Sequence, residues 1–153
     1  MEYRLLVADD IQNHKNEMIK LMDMILKDNI SQNYPPEQAA AYVEKIPGYI
    51  ADGSAIVSGA FEGDSLVGFS WAYELSIFGE KRVHIDMIGV DPEYRKKGIA
   101  RKLANIQIQE IKRRGIMIVE AMTTKRNASS YEWFHSMGFE DERVKVKLEL
   151  KHD

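Results

Sequence analysis

The chain has 153 residues, 44% of them hydrophobic and 29% charged, with a net charge of −3 and no cysteine. That size and balance predict one globular domain, 1–153, with a single core, and exclude the disordered, collagen-like and disulfide-scaffold classes. Without cysteine there are no thiolate nucleophiles, iron–sulfur clusters or cysteine-held zinc, and no apolar run approaches the roughly 18 residues that span a bilayer, so a cytoplasmic protein with no metal and no membrane partner is expected.

Residues 3–7 read as a first strand. From about Asp10, with Asp9 or Asp10 as cap, the pattern turns helical, and Met18, Leu21, Met22, Ile25 and Leu26 share one face. A polar, proline-containing turn at 31–36 leads to a short helix over 37–45 that Pro47-Gly48 should interrupt. The character then becomes β. A hairpin is predicted from 54–61 and 65–77, and a third strand from 81–90, with Val83, Ile85 and Met87 alternating with His84 and Asp86. Unbroken period two places His84, Asp86, Ile88 and Val90 on one side.

After Asp91-Pro92 a helix follows with Ile99, Leu103, Ile106 and Ile111 along its apolar stripe and Gly115 as its stop. Residues 116–122 are apolar at nearly every position, as in a mid-sheet strand buried on both faces. A second helix from Asn127 or Ala128 stops at Gly138. Phe139 then leads to a closing strand in which Val144, Val146, Leu148 and Leu150 alternate with Lys145, Lys147 and Glu149. The fold class is α/β (α+β), with an antiparallel first half and a β-α-β unit in the second.

The segment from Val90 to Ala100 carries the chemistry. A strand ends, and a helix opens at Gly98 with small Ala100 beside it, so several backbone N–H groups lack intrahelical partners and favour an anion. Arg95, Lys96 and Lys97 add cationic contacts. A solvated strand-to-helix turn is the alternative reading of this short element. From Glu93 to Arg114 eight cations face two acids, a local +6 that leaves −9 for the rest of the chain.

The run Arg95-x-x-Gly98-x-Ala100, following Val90-Asp91-Pro92, resembles the acetyl-CoA-binding motif of the GNAT N-acetyltransferase superfamily. Asn127 on the loop after the next strand, and a helix ending Met137-Gly138-Phe139, extend the resemblance over residues 83–139. It implies a mixed, mostly antiparallel sheet flanked by helices, with a V-shaped splay between the fourth and fifth strands. Acetyl-CoA would be the acetyl donor, its pantetheine arm along the backbone of Ile88, Gly89 and Val90 and its pyrophosphate on the amides of Arg95, Lys96, Lys97, Gly98, Ile99 and Ala100. Asn127 would bond the pantetheine, cap the second helix, or do both.

The resemblance also implies direct transfer to an amine. Only the neutral amine attacks, and an alkylamine has a pKa of about 10, so a base is needed. Asp86 is the candidate, four residues before Val90 where many members carry glutamate, with His84, Glu120 or a water relay in reserve. The backbone N–H at Val90 would stabilise the oxyanion. The tyrosine that usually protonates the leaving thiolate is replaced by Phe134; Tyr131 lies one turn earlier, beside Ser130.

The acceptor, a small-molecule or peptide amine, would meet Tyr34, Tyr42, Tyr49, Trp71, Tyr73 and Glu74, aromatic and acidic groups suited to a cation, unless these are core and surface residues. A homodimer is compatible with the fold. Two other classes compete: a coenzyme A binder without transfer activity, and a nucleic-acid module, which the net acidity disfavours.

Overall fold

The computed structural model describes residues 1–29, 35 and 37–153. In chain order the elements are β1 (Glu2–Leu5), α1 (Ala8–Asn13), α2 (Lys15–Asn29), α3 (Gln38–Ala51), β2 (Ala55–Glu62), β3 (Ser65–Ile77), β4 (Glu80–Val90), a 3₁₀ turn (Pro92–Tyr94), α4 (Ile99–Arg113), β5 (Val119–Ala121) and α5 (Ala128–Ser136). The strands form one sheet in the order β1-β2-β3-β4-β5, antiparallel as far as β4, with β5 parallel to β4.

Helices cover both faces because the strands are apolar on both. On one face Met18, Met22, Val43 and Ile46 of α2 and α3 pack against Val57, Phe69, Trp71 and Met87. On the other, Ile99, Leu103 and Ile111 of α4 meet Ala60, Val67 and Val90 at one end and Ile56, Ala72, Val83 and Ile85 at the other. Each large side chain fully withdrawn from water contributes about 1.5–3 kcal/mol. These contacts therefore hold α4, and with it the loop that precedes it, firmly on the sheet.

The helical region differs from the pattern expected of it in three places. The first helix begins at Ala8 and breaks at His14; Val7, not Asp9 or Asp10, is its N-cap. Asp10 instead reaches back to accept from the Val7 amide at 2.8 Å while pairing with Arg4 at 2.8 and 2.9 Å. The next helix runs through Pro47 to Ala51. Proline removes one amide donor, but Val43 and Ile46 are completely buried, and that packing outweighs one missing hydrogen bond. Finally, the buried stripe of α4 is Ile99, Leu103, Gln107 and Ile111, and Ile106 is only half-buried.

In the second half of the chain, residues 116–122 contribute only Val119–Ala121 to the ladder, and β5 lies at the sheet edge rather than in its middle. The expected closing strand is absent: among the described residues, 140–153 form neither strand nor helix, and Val144, Val146, Leu148 and Leu150 are exposed.

Candidate active site

The site begins with a defect in β4. Trp71 pairs with Met87 and Ala72 with Ile85, which leaves Asp86 as an extra residue in a β-bulge. Such a bulge reverses the alternation. Val83 and Ile85 face α4, Met87 lies among the α2 and α3 side chains, and Val90 returns to the α4 side beside Ile99 and Leu103. The expected common face for His84, Asp86, Ile88 and Val90 is therefore broken at Asp86.

At the same point β5 leaves. The β4–β5 ladder consists of Val83–Val119, His84–Glu120 and Ile85–Ala121. Beyond it, residues 87–90 remain paired with β3 on one side, and among the described residues no strand pairs with their other edge. This is the V-shaped splay, and its open edge includes Ile88, Gly89 and Val90. Helix α2 presses onto that stretch so closely that a Cβ on Gly89 would sit 2.7 Å from Ile25 Cδ1 and Cγ1. Glycine there is a matter of space.

The open edge leads directly into the basic loop. The Asp91 carboxylate accepts from the Glu93 amide at 2.9 Å and caps the 3₁₀ turn. Lys96 (φ +63°) and Gly98 (φ +76°) both adopt the left-handed conformation, bending the loop so that Gly98 becomes the N-cap of α4. Turns of this kind direct consecutive amides toward a shared concavity, and the positive end of the helix dipole lies behind them. Residues 95–98 are exposed, Ile99 is buried and Ala100 is half-buried. The Arg95 guanidinium donates from Nε to the Val90 carbonyl at 3.1 Å and from Nη2 to Met24 Sδ at 3.0 Å, tying the loop to the strand end and to α2. The exposed loop, its small residues and its three cations fit a pyrophosphate.

Around the bulge, five ionisable groups converge. His84 Nδ1 is 2.7 Å from Glu120 Oε2, its ring lies 5.4 Å from that of Tyr73, and Arg82 stands 3.5 Å from Glu120. Burial pushes the Asp86 carboxyl above its usual range, and nearby His84 only partly opposes this. The Tyr73 hydroxyl is also pushed up, first by burial and then by the charges of Asp86 and Glu120. Asp86 is half-buried, and no hydrogen bond or ion pair ties it to another described residue. A carboxylate held this way binds a proton more readily than one in water, as a base requires.

The remaining predicted residues divide into those near the splay and those engaged elsewhere. Asn127 is the N-cap of α5: its Oδ1 accepts from the Ser130 amide at 3.1 Å and its Nδ2 donates to Asn29 Oδ1 at 2.9 Å. Phe134 is buried against Trp133 and Phe139, with ring centroids 4.9 and 5.1 Å away. The Tyr131 hydroxyl donates to Asp141 Oδ2 at 2.8 Å on the exposed side of α5. Trp71 stacks on Tyr49 at 6.3 Å and meets Tyr42 edge-on at 6.4 Å. Glu74 is committed to Arg114 at 3.0 Å and Lys81 at 3.7 Å, and does not belong with that aromatic group. Tyr34 lies outside the described residues.

Sequence reading missed Gln107. Fully buried, it donates from Nε2 to the carbonyls of Ile56 and Ser70, both at 2.9 Å, and accepts from Ser70 Oγ at 2.7 Å. Its signal was an amide four residues from Leu103 and four from Ile111, in the centre of an apolar stripe.

Residues 21–139, which include the splayed β4–β5 pair and the basic, glycine-opened helix start beyond it, match a family model, Acetyltransferase (GNAT) family. The chain belongs to this family. An N-acetyltransferase of Methanocaldococcus jannaschii of uncharacterised role is 39% identical over 67 residues, 42% of this chain and 30% of the relative. The chain spans about a third of the length of the curated relatives it matches. Among solved structures, an aminoglycoside acetyltransferase from an uncultured soil metagenomic sample, in complex with trehalose, has a TM-score of 0.76 at 18% identity and covers 98% of this chain and 96% of its own. The PaiA N-acetyltransferase of Thermoplasma acidophilum, in complex with coenzyme A, has a TM-score of 0.73 at 18% identity and covers 95% and 94%. At these identities the solved structures show a shared GNAT fold. Among the described residues no group of three histidine, aspartate or glutamate side chains is arranged to hold a metal ion, and no helix is long and apolar enough to cross a membrane.

Proposed function

We propose that this GNAT chain is an N-acetyltransferase that moves the acetyl group of acetyl-CoA to a primary amine of a small molecule or peptide. The observation that carries this reading is the loss of β5 from β4 at Asp86, which opens an edge that runs to the end of β4 and on to the two left-handed residues of the basic loop. An unpaired strand edge suits an amide-bearing arm, and the loop suits the phosphates at its end. The structure of a GNAT protein with coenzyme A supports the choice of donor.

Bound there, acetyl-CoA would supply an activated thioester. The backbone of Ile88, Gly89 and Val90 would hold the arm. The amides and cations of Arg95, Lys96, Lys97, Gly98, Ile99 and Ala100 would hold the pyrophosphate, and Asn127 would add a contact by exchanging its Asn29 partner. Asp86 takes the proton from the ammonium group of the acceptor, and the Val90 amide donates to the carbonyl oxygen under attack, an interaction worth about 3 kcal/mol when preorganised. Tyr42, Tyr49 and Trp71, with Tyr73 beside Asp86, would form the acceptor wall. Without a tyrosine at Phe134 the thiolate leaves unassisted.

Calorimetry with acetyl-CoA, followed by thiol release with a panel of amines, tests this reading. Acetyl-CoA should bind and at least one amine should release thiol; absence of acetyl-CoA binding refutes it. The buried Phe134 and the diversion of Tyr131 to Asp141 favour a second reading, a coenzyme A binder without transfer activity. Binding without thiol release on any amine would favour that alternative.

A further inference from the structure

Packing alone does not account for Trp71. The residue is 5% exposed, and among the described residues its indole Nε1 is the only buried side-chain nitrogen or oxygen without a hydrogen-bond partner. An indole N–H donates and cannot accept, and burying it with no oxygen to receive it is unfavourable. Polar side chains buried as deeply nearby are matched: Ser58 Oγ donates to the Leu103 carbonyl at 3.0 Å, and Gln107 bonds to Ser70 Oγ and to two strand carbonyls. Phenylalanine would fill an apolar site without leaving a donor unpaired. An orphaned donor of this kind calls for a partner from outside the chain.

The surroundings of the indole suit a small ligand. Tyr42 meets it edge-on at 6.4 Å, and Tyr49, 41% exposed, stacks on it at 6.3 Å, so ring surface extends from Trp71 to solvent. Across the sheet Trp71 pairs with Met87, the residue after bulged Asp86. Strand spacings of about 5 Å across and about 3.3 Å along place the Trp71 and Asp86 backbones roughly 6 Å apart. One short molecule therefore reaches both the indole N–H and the carboxylate. Its oxygen should be uncharged, because Asp86 and Glu120 make this end of the sheet acidic and Arg82 is already divided among Glu80, Glu120 and Glu142.

Building on the N-acetyltransferase reading, we propose that the acceptor is an amino alcohol, with its nitrogen at Asp86 and its hydroxyl oxygen accepting from Trp71 Nε1 once the exposed Tyr49 ring turns aside. Trp71 then selects the substrate, and the rings of Tyr42 and Tyr49 cover its carbon skeleton. An alkylamine of the same size supplies the nitrogen but leaves the indole N–H unpaired.

Two matched pairs test the selection: ethanolamine against propylamine, and 3-aminopropanol against butylamine, each differing by a hydroxyl in place of a methyl group. With acetyl-CoA, each alcohol should exceed its partner in kcat/KM by about tenfold, and Trp71→Phe should bring that ratio to about one. Equal rates in the native chain, a preference that survives Trp71→Phe, or thiol release with none of the four amines would overturn the proposal. Equal rates would do so while leaving the transfer reading intact. Nitrogen–proton correlation NMR of the labelled native chain follows the donor itself and needs no acetyl-CoA. The chain has two tryptophans, so Trp133→Phe identifies the indole signal of Trp71. Ethanolamine should move that signal downfield and propylamine should not. A signal that ethanolamine leaves in place refutes the proposal even if every amine is acetylated, whereas failure of acetyl-CoA to bind removes the transfer reading and leaves this signal to report on the pocket alone.

Discussion

Replacing Gln107 with leucine tests how α4, and therefore the basic loop at its start, is seated on the sheet. The substitution preserves bulk and removes three hydrogen bonds, depriving the carbonyls of Ile56 and Ser70 of the Gln107 donor and the Ser70 hydroxyl of its acceptor. A buried polar group left unpaired costs about 1–3 kcal/mol. Strand carbonyls have a second lone pair and the hydroxyl rotates, so the lower end of that range applies to each group. Leucine returns roughly 1 kcal/mol of apolar burial. The net loss is about 2–4 kcal/mol, a large share of the roughly 5–15 kcal/mol that holds a domain together. At roughly 2–4 °C per kcal/mol for a chain of this size, the melting temperature should fall by about 5–15 °C. Urea unfolding followed by tryptophan fluorescence should show a lower midpoint with an unchanged slope. Ser70→Ala alone and combined with Gln107→Leu completes a cycle, with an expected coupling above about 0.5 kcal/mol. A loss below about 1 kcal/mol, or strictly additive effects, would refute the role assigned to this network.

Gly98→Ala should cost about 1–2 kcal/mol, because φ is +76° while nothing lies within 4 Å of the added Cβ, so the strain is confined to the backbone; denaturation measures that cost, and an unchanged midpoint would contradict it. Asp86→Asn should abolish the acid limb of the kcat/KM profile, since the native base loses activity as pH falls through its raised pKa; superimposable profiles would transfer the role to Glu120 or to water. The same variant has a stability signature with a definite sign. The folded Asp86 carboxyl binds its proton more tightly than the unfolded one, so its contribution falls as pH rises from about 4 through the raised value. Asn should therefore stabilise the protein at neutral pH and have little effect at pH 3, as thermal scans at both values will reveal. Phe134→Tyr should not lower turnover; a large drop would mean that the ring packs at the cofactor in a way that excludes a hydroxyl.

Local signals were sufficient for much of the fold. The hairpin of β2 and β3, the stop of α4 at Gly115 and the basic loop before it depend on turn residues, period two and unpaired helix amides, all of which act over a few positions. Asp86 illustrates the limit. Its identity and its distance from Val90 were readable, but a bulge is a mismatch between two strands, and β4 alone does not contain the register of β3. Pro47 failed for a similar reason: the propensity to break a helix is local, while the burial of Val43 and Ile46 that overrides it is not. Gln107 looked polar, and only three partners on two strands explain its burial. Glu74 looked like a ligand for a cation until Arg114, forty residues away, neutralised it.

The sequence by itself determined the alternation of strands and helices, the cationic loop with its glycine at the helix start, and the absence of thiol chemistry, because these follow from residue type and short spacing. Only the tertiary structure decided where β4 loses β5, which carboxylate is desolvated there, and which apolar strand remains uncovered. Each of those depends on what lies across the sheet, a relation between distant segments that no run of neighbouring residues encodes.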